Sequence, residues 1–337
     1  MIMVHILHAG ISHPSPYFYN FIKQLDKYED FDYVINPDLP EESPVDKGII
    51  YFNRLKRFYD SNDMNTAKNF IETIKEKKKQ GWKIVITLHN FFPIDREITE
   101  VDEYITKEFL SICEIVFTLS EHLKKSIKIH YGIDAINHGM GYNVLDGPFD
   151  NNLVKDFTKD KFVFTFIGNI YPYKMLDKII DTFKNIDNAY LIIAGKEPKN
   201  AKVNIKELID NNPNIKFFNG FIGEKDWVKL SEITDVFISL YDIKIKAFEY
   251  GLFPSNYINI YNTGIPCISP RHESISELID EEQMIYYDFD DKDGLLNAMN
   301  YAMNNKIKRL KNNVYKRYSW DKQIEIFTKN VRGLYEN

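Results

Sequence analysis

Short, nearly continuous apolar runs alternate with segments of helical periodicity along the whole chain. Apolar runs of this kind are typical of parallel strands that are buried on both faces, and their alternation with amphipathic helices indicates an α/β fold. A break near Gly139, Gly141, Gly147 and Pro148 divides the pattern into two blocks. The strand-like runs that define the blocks include MVHIL, DYVI, KIVITL, EIVFTL, FVFTFI, AYLIIAG, VFISL and MIYYDF.

Residues 162–197 carry the clearest local pattern. An apolar strand ends at Gly168-Asn169, a helix headed by Lys174 follows, and a second apolar strand ends at Gly195. This order predicts a βαβ unit in which both glycines lie at the carboxyl ends of neighbouring strands. In open α/β sheets, ligands bind at that edge because backbone amides and helix N-termini converge there.

Composition narrows the class of protein. The chain has 337 residues, 44% of them hydrophobic, so two domains are expected. A net charge of −6 argues against a nucleic-acid binder that relies on phosphate attraction. Cys113 and Cys267 lie in apolar, strand-like runs and are expected to be free thiols in a reducing compartment. Without a signal peptide or an apolar run of about 20 residues, a soluble, cytoplasmic protein is expected.

Cofactor motifs are absent from the sequence. There is no phosphate-binding Gly-Lys-Ser/Thr loop and no Gly-x-Gly-x-x-Gly pattern, which argues against kinases and dehydrogenases. The two cysteines do not form a pair at zinc-binding spacing. Asp290, Asp291 and Asp293 follow a strand, where acidic residues ordinarily cap the next helix. We therefore expect neither a metal site nor a cofactor.

The order of the segments resembles that of the family-4-type, or group 1, glycosyltransferases. In the second block the matching segments are FIGNIYPYKMLDKIIDTF, AYLIIAGK, NIKFFNGFI, SEITDVFISLY, INIYNTGIPCIS and YSWDKQIEIFTKNVRGLYE. In the first block they are LHNFFPIDREI, EIVFTLSEHLKKSI and INHGMGYN.

The resemblance implies the GT-B fold, with two Rossmann-like domains whose parallel sheets face an interdomain cleft. Residues 1–145 would bind the acceptor, and residues 150–319 would bind a nucleotide-sugar donor. The C-terminal helix, 320–337, is expected to pack back on the first domain, with Trp320, Ile324 and Phe327 on one face.

Lys174 is the candidate for charge stabilisation on the donor side. Transfer from a nucleotide diphosphate sugar builds negative charge on the departing diphosphate, so cations or oriented N–H donors are needed there. A cation is disfavoured at the start of a helix unless an anion lies nearby; the alternative is a solvated lysine. Asn169 stands where the group often has arginine. The donor-binding candidates are Gly168, Asn169, Lys174, Gly195, Lys196, Ser255, Asn256, Tyr257 and Asn259.

The segment FPSNYINIYN is expected to form a turn and a helix. Ser255, Asn256 and Tyr257 would lie at its start, either capping the helix or binding phosphate. Many retaining members of the group have glutamates where this chain has Gly251 and Asn259. Since both acids are missing, the stereochemical outcome of transfer stays open.

On the acceptor side, His89 ends the strand KIVITL and is followed by Asn90. His89 and Asp95 are catalytic candidates, Asp95 as a general base if the reaction inverts the anomeric centre. The rival carboxylates are Glu97, Glu100 and Asp102. Gly10, His13 and His138 are further acceptor-side candidates by analogy with the group.

Two basic clusters belong to the first block. Arg54, Lys56 and Arg57 alternate with aromatic residues, and four lysines lie within 75–79. Such a composition is compatible with peripheral contact with an anionic membrane at its cytoplasmic face, and hence with a lipid-linked acceptor. A solvated, charged helix face is the alternative.

These features predict a metal-independent glycosyltransferase that moves a hexose-type sugar from a nucleotide diphosphate sugar to a hydroxyl of a glycan or lipid-linked glycan. Two alternatives remain. The missing acids are compatible with a donor-binding subunit without catalysis, and the same fold accommodates a nucleotide-sugar epimerase.

Overall fold

The chain forms two compact units in the computed structural model. The first comprises Met1–Asn143, Lys246–Phe253 and Tyr315–Asn337, and the second comprises Val144–Ile245 and Pro254–Val314. The structure describes residues 1–7, 16–44, 46–53, 55, 58–92, 94, 96–143, 161–197, 205–209, 212–305 and 307–336.

Each unit is built on a parallel sheet, and helices connect most of the strands. The strands are β1 Ile2–Leu7, β2 Phe31–Asn36, β3 Lys47–Phe52, β4 Lys83–Leu88, β5 Ile115–Thr118, β6 Ile136–Asn137, β7 Phe162–Ile167, β8 Ala189–Gly195, β9 Ile215–Asn219, β10 Val236–Ile238, β11 Cys267–Pro270 and β12 Met284–Tyr287.

The α-helices are α1 Pro16–Leu25, α2 Met64–Lys79, α3 Glu100–Ile112, α4 Glu121–Tyr131, α5 Leu176–Phe183, α6 Ile205–Ile209, α7 Glu224–Ser231, α8 Lys246–Glu249, α9 Asn256–Thr263, α10 Glu273–Ser276, α11 Gly294–Asn304, α12 Val314–Arg317 and α13 Trp320–Gly333.

The sheet of the first unit has six strands in the order β2-β1-β3-β4-β5-β6 within the described residues. All of its pairings are parallel; Ile2, for example, lies opposite Phe31 on one side and Lys47 on the other. The second unit also has a six-stranded parallel sheet within the described residues, with the different order β12-β11-β10-β7-β8-β9. The α/β fold with two Rossmann-like sheets is therefore confirmed.

Amphipathic helices cover the sheets as their periodicity predicts. Helix α2 starts where the Asp63 side chain accepts a hydrogen bond from the Asn65 amide. It buries Ala67, Phe70, Ile71 and Ile74, whose spacing of three and four residues places them on one face. In the second unit, α5 buries Leu176, Ile179, Ile180 and Phe183 at the same spacing.

Helix α13 packs within the first unit. Phe327 is fully buried, and its ring lies 5.0 Å from that of Phe21 and 5.3 Å from that of Tyr51, measured between centroids. A Cβ atom on Gly141 would lie 2.2 Å from the Trp320 ring, so only glycine fits where the indole packs. The helix face that carries Trp320, Ile324 and Phe327, as predicted from the sequence, is the face that packs in the first unit.

The cysteines are both free, as expected. Cys267 is buried in β11, whereas Cys113 follows the last turn of α3 rather than lying in a strand. Its Sγ atom donates to the carbonyl of Phe109 one turn earlier. Burial raises the pKa of both thiols. No helix in the described part of the chain is long and apolar enough to cross a membrane.

Candidate functional site

The ends of three neighbouring strands in the second unit form the candidate site. Strand β7 ends at Ile167, β8 at Gly195 and β9 at Asn219, and the three strands are adjacent and parallel. Their carboxyl ends therefore lie at one edge of the sheet, where a doubly wound fold exposes backbone amides to ligands.

Two of these strand ends approach so closely that both require glycine. Gly168 has a φ of +142°, a conformation that L side chains rarely adopt. A Cβ atom on Gly195 would lie 1.9 Å from the carbonyl oxygen of Gly168. The amide of Gly168 also donates to Ala194 O at 3.0 Å. Because both loops are fixed against each other, the turn after β7 is rigidly placed.

Two nitrogen atoms lie beside the open face of Gly168. A Cβ atom built on this glycine would lie 2.7 Å from Asn256 Nδ2 and 3.6 Å from Lys174 Nζ. Asn256 is the first residue of α9, and its Nδ2 donates to Ile167 O at 3.2 Å. A site with an ammonium and an amide N–H around a glycine is suited to an anion.

The sequence predicted that Lys174 opens the helix after the Gly168 turn, but in the structure it does not. It ends the 3₁₀ turn Pro172–Lys174, Met175 takes a φ of 51°, and α5 starts at Leu176. Proline suits the first position of such a turn, because its fixed φ is helical and the N–H that it lacks would have no partner there. The side chain therefore turns inward rather than lying along the first turn of α5.

The Lys174 side chain is buried, with 5% of its surface exposed, rather than solvated. Its Nζ atom donates to Tyr241 Oη at 2.7 Å and lies 4.2 Å from the centroid of that ring. Burial lowers the pKa of Lys174 to about 7, because the charged form loses its hydration. Within the described residues, no carboxylate pairs with this amine.

A cavity of about 200 Å³ opens at this edge of the sheet. Seven of the residues predicted to bind the donor line it: Gly168, Asn169, Gly195, Lys196, Ser255, Asn256 and Asn259. The structure therefore brings together segments that are up to 91 residues apart in the sequence. Ser255 makes no capping hydrogen bond with its side chain, which leaves its hydroxyl beside the cavity.

The loop after β9 completes the wall of the cavity, and the sequence reasoning missed it. The loop contributes Gly220, Phe221 and Ile222, and helix α7 contributes Glu224 and Trp227. Phe221 is 51% exposed, whereas Trp227 is buried and packs on Phe237. A signal was present in the sequence, since the run NIKFFN is followed by a glycine, as the run AYLIIA is followed by Gly195.

Tyr257 and Lys174 are the two predicted donor-binding residues that do not line this cavity, and Tyr257 lies in the core of the second unit. Its ring is fully buried, and its hydroxyl contacts Ser239 O at 2.7 Å and Ser269 Oγ at 2.6 Å. These contacts join α9 to the ends of β10 and β11. Because every third or fourth residue of an amphipathic helix faces inward, Asn256 and Asn259 line the cavity while Tyr257 does not.

In the first unit, His89 and Asn90 follow directly after β4. His89 is partly buried, and its ring meets the ring of Tyr17 edge-on with 4.7 Å between centroids. Asn90 Oδ1 accepts a hydrogen bond from the Phe253 amide at 3.3 Å. Asp95, the other catalytic candidate of this loop, lies outside the described residues, as do Gly10 and His13.

His138 lies in the interior of the first unit rather than at an acceptor surface. Its Nδ1 atom contacts Gly139 O at 2.7 Å and must donate, so Nε2 accepts from Thr87 Oγ1 at 2.9 Å. Thr87 in turn accepts from the Tyr51 hydroxyl. Burial lowers the pKa of His138 to about 4, so the ring is neutral and acts as a structural link.

Asp102, a rival to Asp95, is a structural residue. It is fully buried, it completes a capping box with Thr99 at the start of α3, and Arg96 binds it with two hydrogen bonds of 2.6 and 2.8 Å. Burial alone raises the pKa of Asp102, but these bonds and that from Tyr59 outweigh burial and lower it to about 2. A carboxylate held in this way cannot take up a proton.

The lysine cluster carries less free charge than the sequence indicated, and two aromatic residues beside the other cluster are buried. Three of the α2 lysines pair with carboxylates: Lys75 with Glu72, Lys78 with Glu114 and Lys79 with Glu76. Tyr51 and Phe52, which flank the other cluster, are fully buried in β3. Arg54, Lys56 and Arg57 themselves lie outside the described residues.

Metal-ligating side chains are dispersed in the described ranges. No group of three or more histidine, cysteine, aspartate or glutamate residues is placed there to hold an ion. The polar atoms that lie within 4 Å of a Cβ placed on Gly168 are Lys174 Nζ and Asn256 Nδ2.

Comparison with known structures identifies the fold. Sucrose-phosphate synthase from Thermosynechococcus elongatus is similar over 99% of each chain, with a TM-score of 0.70 and 13% identity. HepE of Anabaena, solved in complex with UDP and glucose, matches over 98% of this chain and 99% of its own, with a TM-score of 0.64 and 13% identity. A putative UDP-N-acetylglucosamine 2-epimerase from Listeria monocytogenes matches over 100% and 97%, with a TM-score of 0.55 and 8% identity.

No curated protein matches the sequence at a significant level. The sequence profile described as "Glycosyl transferases group 1", however, matches residues 150–319, which is just over half of the chain. These residues contain β7–β12 and every residue named around the cavity. Together with the two parallel sheets, this match shows that the chain belongs to the group 1 glycosyl transferases.

Proposed function

We propose that this glycosyltransferase moves a hexose-type sugar from a nucleoside diphosphate sugar to a hydroxyl of a glycan or of a lipid-linked glycan, without a metal ion. The second unit would bind the donor, and the first unit would bind the acceptor. One observation carries the donor half of the proposal: Lys174 Nζ and Asn256 Nδ2 converge on the open face of Gly168 beside a cavity.

Cleavage of the sugar–phosphate bond leaves negative charge on the diphosphate. An ammonium and an amide N–H that are fixed before the reaction stabilise this charge without reorganising, which lowers the barrier. Lys174 would provide the charge, and Asn256 and the backbone around Gly168 would provide oriented hydrogen bonds. Asn169 would add a neutral donor at most, because it stands where many members have a cation.

The donor class is supported by the structures that the fold resembles. HepE has been solved with UDP, with UDP and glucose, and with UDP-glucose. At 13% and 14% identity these ligands belong to that protein, but they favour nucleoside diphosphate sugars as the first compounds to test here.

On the acceptor side, His89 and Asn90 at the end of β4 are proposed to contact the acceptor hydroxyl or the donor sugar. Asp95 is the proposed general base for an inverting reaction, because removal of the hydroxyl proton requires a nearby acceptor. Gly10 and His13 are proposed to contribute to the same surface. Lipid-linked acceptors would bring the protein to the cytoplasmic face of a membrane.

The donor proposal is tested first by binding. A ligand that binds only the folded protein raises its unfolding temperature by mass action. We expect one of UDP, GDP, ADP and dTDP, and the nucleotide sugar that contains it, to stabilise the full chain. Asn256→Ala should weaken this binding by about tenfold, because one hydrogen bond to a charged group is lost. Asn300→Ala, an exposed asparagine on α11, serves as the matched control.

Turnover separates this function from its alternatives. With the stabilising sugar nucleotide in radiolabelled form and a panel of glycan and lipid-linked acceptors, transfer of label supports the proposal. Binding without transfer or hydrolysis would indicate a non-catalytic donor-binding protein. That alternative is compatible with Gly251 and Asn259, which stand where many retaining members of the group have glutamates. Formation of a different sugar nucleotide without acceptor, detected by NMR, would indicate an epimerase.

A further inference from the structure

We propose that Tyr241 is a positioning residue for donor binding: its ring and its hydroxyl hold the Lys174 amine at the open face of Gly168, where the diphosphate is proposed to bind. This inference rests on the proposed function, and it assigns a role to a residue that was not among the candidate site residues. Tyr241 follows β10, three residues after the strand ends at Ile238.

The geometry around the lysine amine is asymmetric. On one side, the Tyr241 hydroxyl accepts a hydrogen bond from Nζ at 2.7 Å, and the ring lies 4.2 Å away. On the other side, Nζ lies 3.6 Å from the position of a Cβ on Gly168. An ammonium has three N–H donors, so two remain available toward Gly168 when one is bound to Tyr241.

Tyr241 is itself firmly held. It is 4% exposed, and its ring stacks on that of Tyr173 with 6.1 Å between centroids and an interplanar angle of 25°. The amide of the next residue, Asp242, donates to Tyr173 O at 2.8 Å. The ring stack and this hydrogen bond thus hold the segment after β10 against the turn that carries Lys174, and both segments fix the position of the Lys174 amine.

Charge in this environment depends on Lys174 alone near neutral pH. The titratable side chains that face the pair are Tyr173, Tyr257 and Cys267. Burial raises the pKa of Tyr241, Tyr257 and Cys267, so these three are neutral. Asp242 directs its carboxylate to the Lys244 amide at 3.0 Å. Since burial lowers the pKa of Lys174 to about 7, a bound anion would favour the protonated amine.

The Tyr241 hydroxyl should matter for protonation as well as for placement. It accepts a hydrogen bond from the ammonium, and a hydrogen bond to the charged form favours that form. Without this hydroxyl, Lys174 would lose its proton at a lower pH. The variant should therefore bind a diphosphate less well, and the deficit should grow as the pH rises.

Tyr241→Phe tests this, because it removes one oxygen atom and keeps the ring. Tyr287→Phe is the matched control: Tyr287 is buried in the same unit, and its hydroxyl has no hydrogen-bond partner in the described structure. Binding of the nucleoside diphosphate that stabilises the wild type is measured by calorimetry on the full chain. We expect Tyr241→Phe to bind about tenfold more weakly near pH 8.5 and less than about threefold more weakly near pH 6.

A second measurement requires no ligand. The ¹³Cε resonance of Lys174, assigned with Lys174→Arg, reports its protonation directly, and its titration midpoint should fall in Tyr241→Phe and stay unchanged in Tyr287→Phe. A purely structural role for Tyr241 would weaken binding equally at both pH values and leave the midpoint in place.

The outcomes separate the two proposals. If the wild type binds a diphosphate and Tyr241→Phe matches Tyr287→Phe at both pH values, the positioning role is wrong and the donor function stands. An equal loss at both pH values with an unmoved midpoint also overturns the role. If the wild type binds none of UDP, GDP, ADP and dTDP, the donor function fails, and with it the role of Tyr241 in donor binding.

Discussion

Replacing Lys174 by methionine should change how the stability of the protein depends on pH. Methionine has a similar length and no charge, so it fills the space beside Tyr241 without the cost of burying an ammonium. Lys174 is 5% exposed, and its pKa falls from 10.5 to about 7 in the folded protein. Solvent screens the charge of a side chain buried to this extent only weakly.

The sign follows from proton binding. Between pH 7 and 10.5 the unfolded chain holds a proton on this lysine that the folded protein has lost, so the free energy of unfolding rises with pH in that window. At 1.36 kcal/mol per pH unit, the full span is about 5 kcal/mol. From about pH 6 to about pH 9, the wild type should gain about 2.5 kcal/mol relative to Lys174→Met.

Urea unfolding at a series of pH values measures this difference. Two units need not unfold together, so the signal should report on the second one. Trp227 is one of three tryptophans, and it is buried against Phe237 in that unit. Its ¹⁹F resonance in 5-fluorotryptophan-labelled protein, assigned with Trp227→Phe, follows the local transition.

The matched control is Lys184→Met, because Lys184 is an exposed lysine of the same unit. Lys184 pairs with Asp181 at the surface of α5, so its replacement tests the substitution of a lysine by methionine without removing a buried amine. A flat difference for Lys174→Met would refute the reasoning, since it would mean that the amine keeps its hydration in the folded protein.

Three further changes test the packing around the candidate residues. Gly195→Ala should lower the free energy of unfolding by about 3 kcal/mol, because the new Cβ would lie 1.9 Å from Gly168 O. His138 has a pKa of about 4 in the folded protein, so as the pH falls the unfolded chain takes up this proton before the folded protein does. The free energy of unfolding should therefore fall by about 3 kcal/mol from pH 6.5 to about 4, and by less in His138→Gln. Arg96→Met should cost about 3 kcal/mol, because it leaves the Asp102 carboxylate buried without its cation.

Urea midpoints with matched controls decide these cases. Gly220→Ala is the control for the first, because a Cβ there meets nothing within 4 Å, and equal midpoints for the two alanine variants would contradict the close approach. If the free energy of unfolding of the wild type and of His138→Gln changed with pH in the same way, the His138 ring would not be desolvated. An unchanged midpoint for Arg96→Met would show that water reaches the carboxylate.

Many of the residues that line the cavity could be picked out from the sequence because their signals are local. Apolar runs of buried parallel strands fixed β7 and β8, and the residues that follow such strands lie at the ligand-binding edge by topology alone. Gly168, Asn169, Gly195 and Lys196 were found in this way. Strand β3, by contrast, was not predicted, because its short apolar run leads directly into a basic, aromatic segment.

Side-chain direction could not be read in the same way. Asn256, Tyr257 and Asn259 are neighbours in one helix, yet the tyrosine enters the core while the two asparagines line the cavity. His138 matched a motif and lies in an interior hydrogen-bond chain. Helix rotation and burial decide such cases, and they depend on contacts between segments that are distant in the chain.

The sequence by itself determined the two-sheet architecture and the strand ends where a ligand would bind, since hydrophobic periodicity and chain order are properties of neighbouring residues. Only the tertiary structure decided the state of Lys174. The 3₁₀ turn sends its side chain inward to Tyr241, a residue 67 positions away, and burial there changes its charge at neutral pH. Desolvation depends on everything that surrounds a group, and no local pattern contains that information.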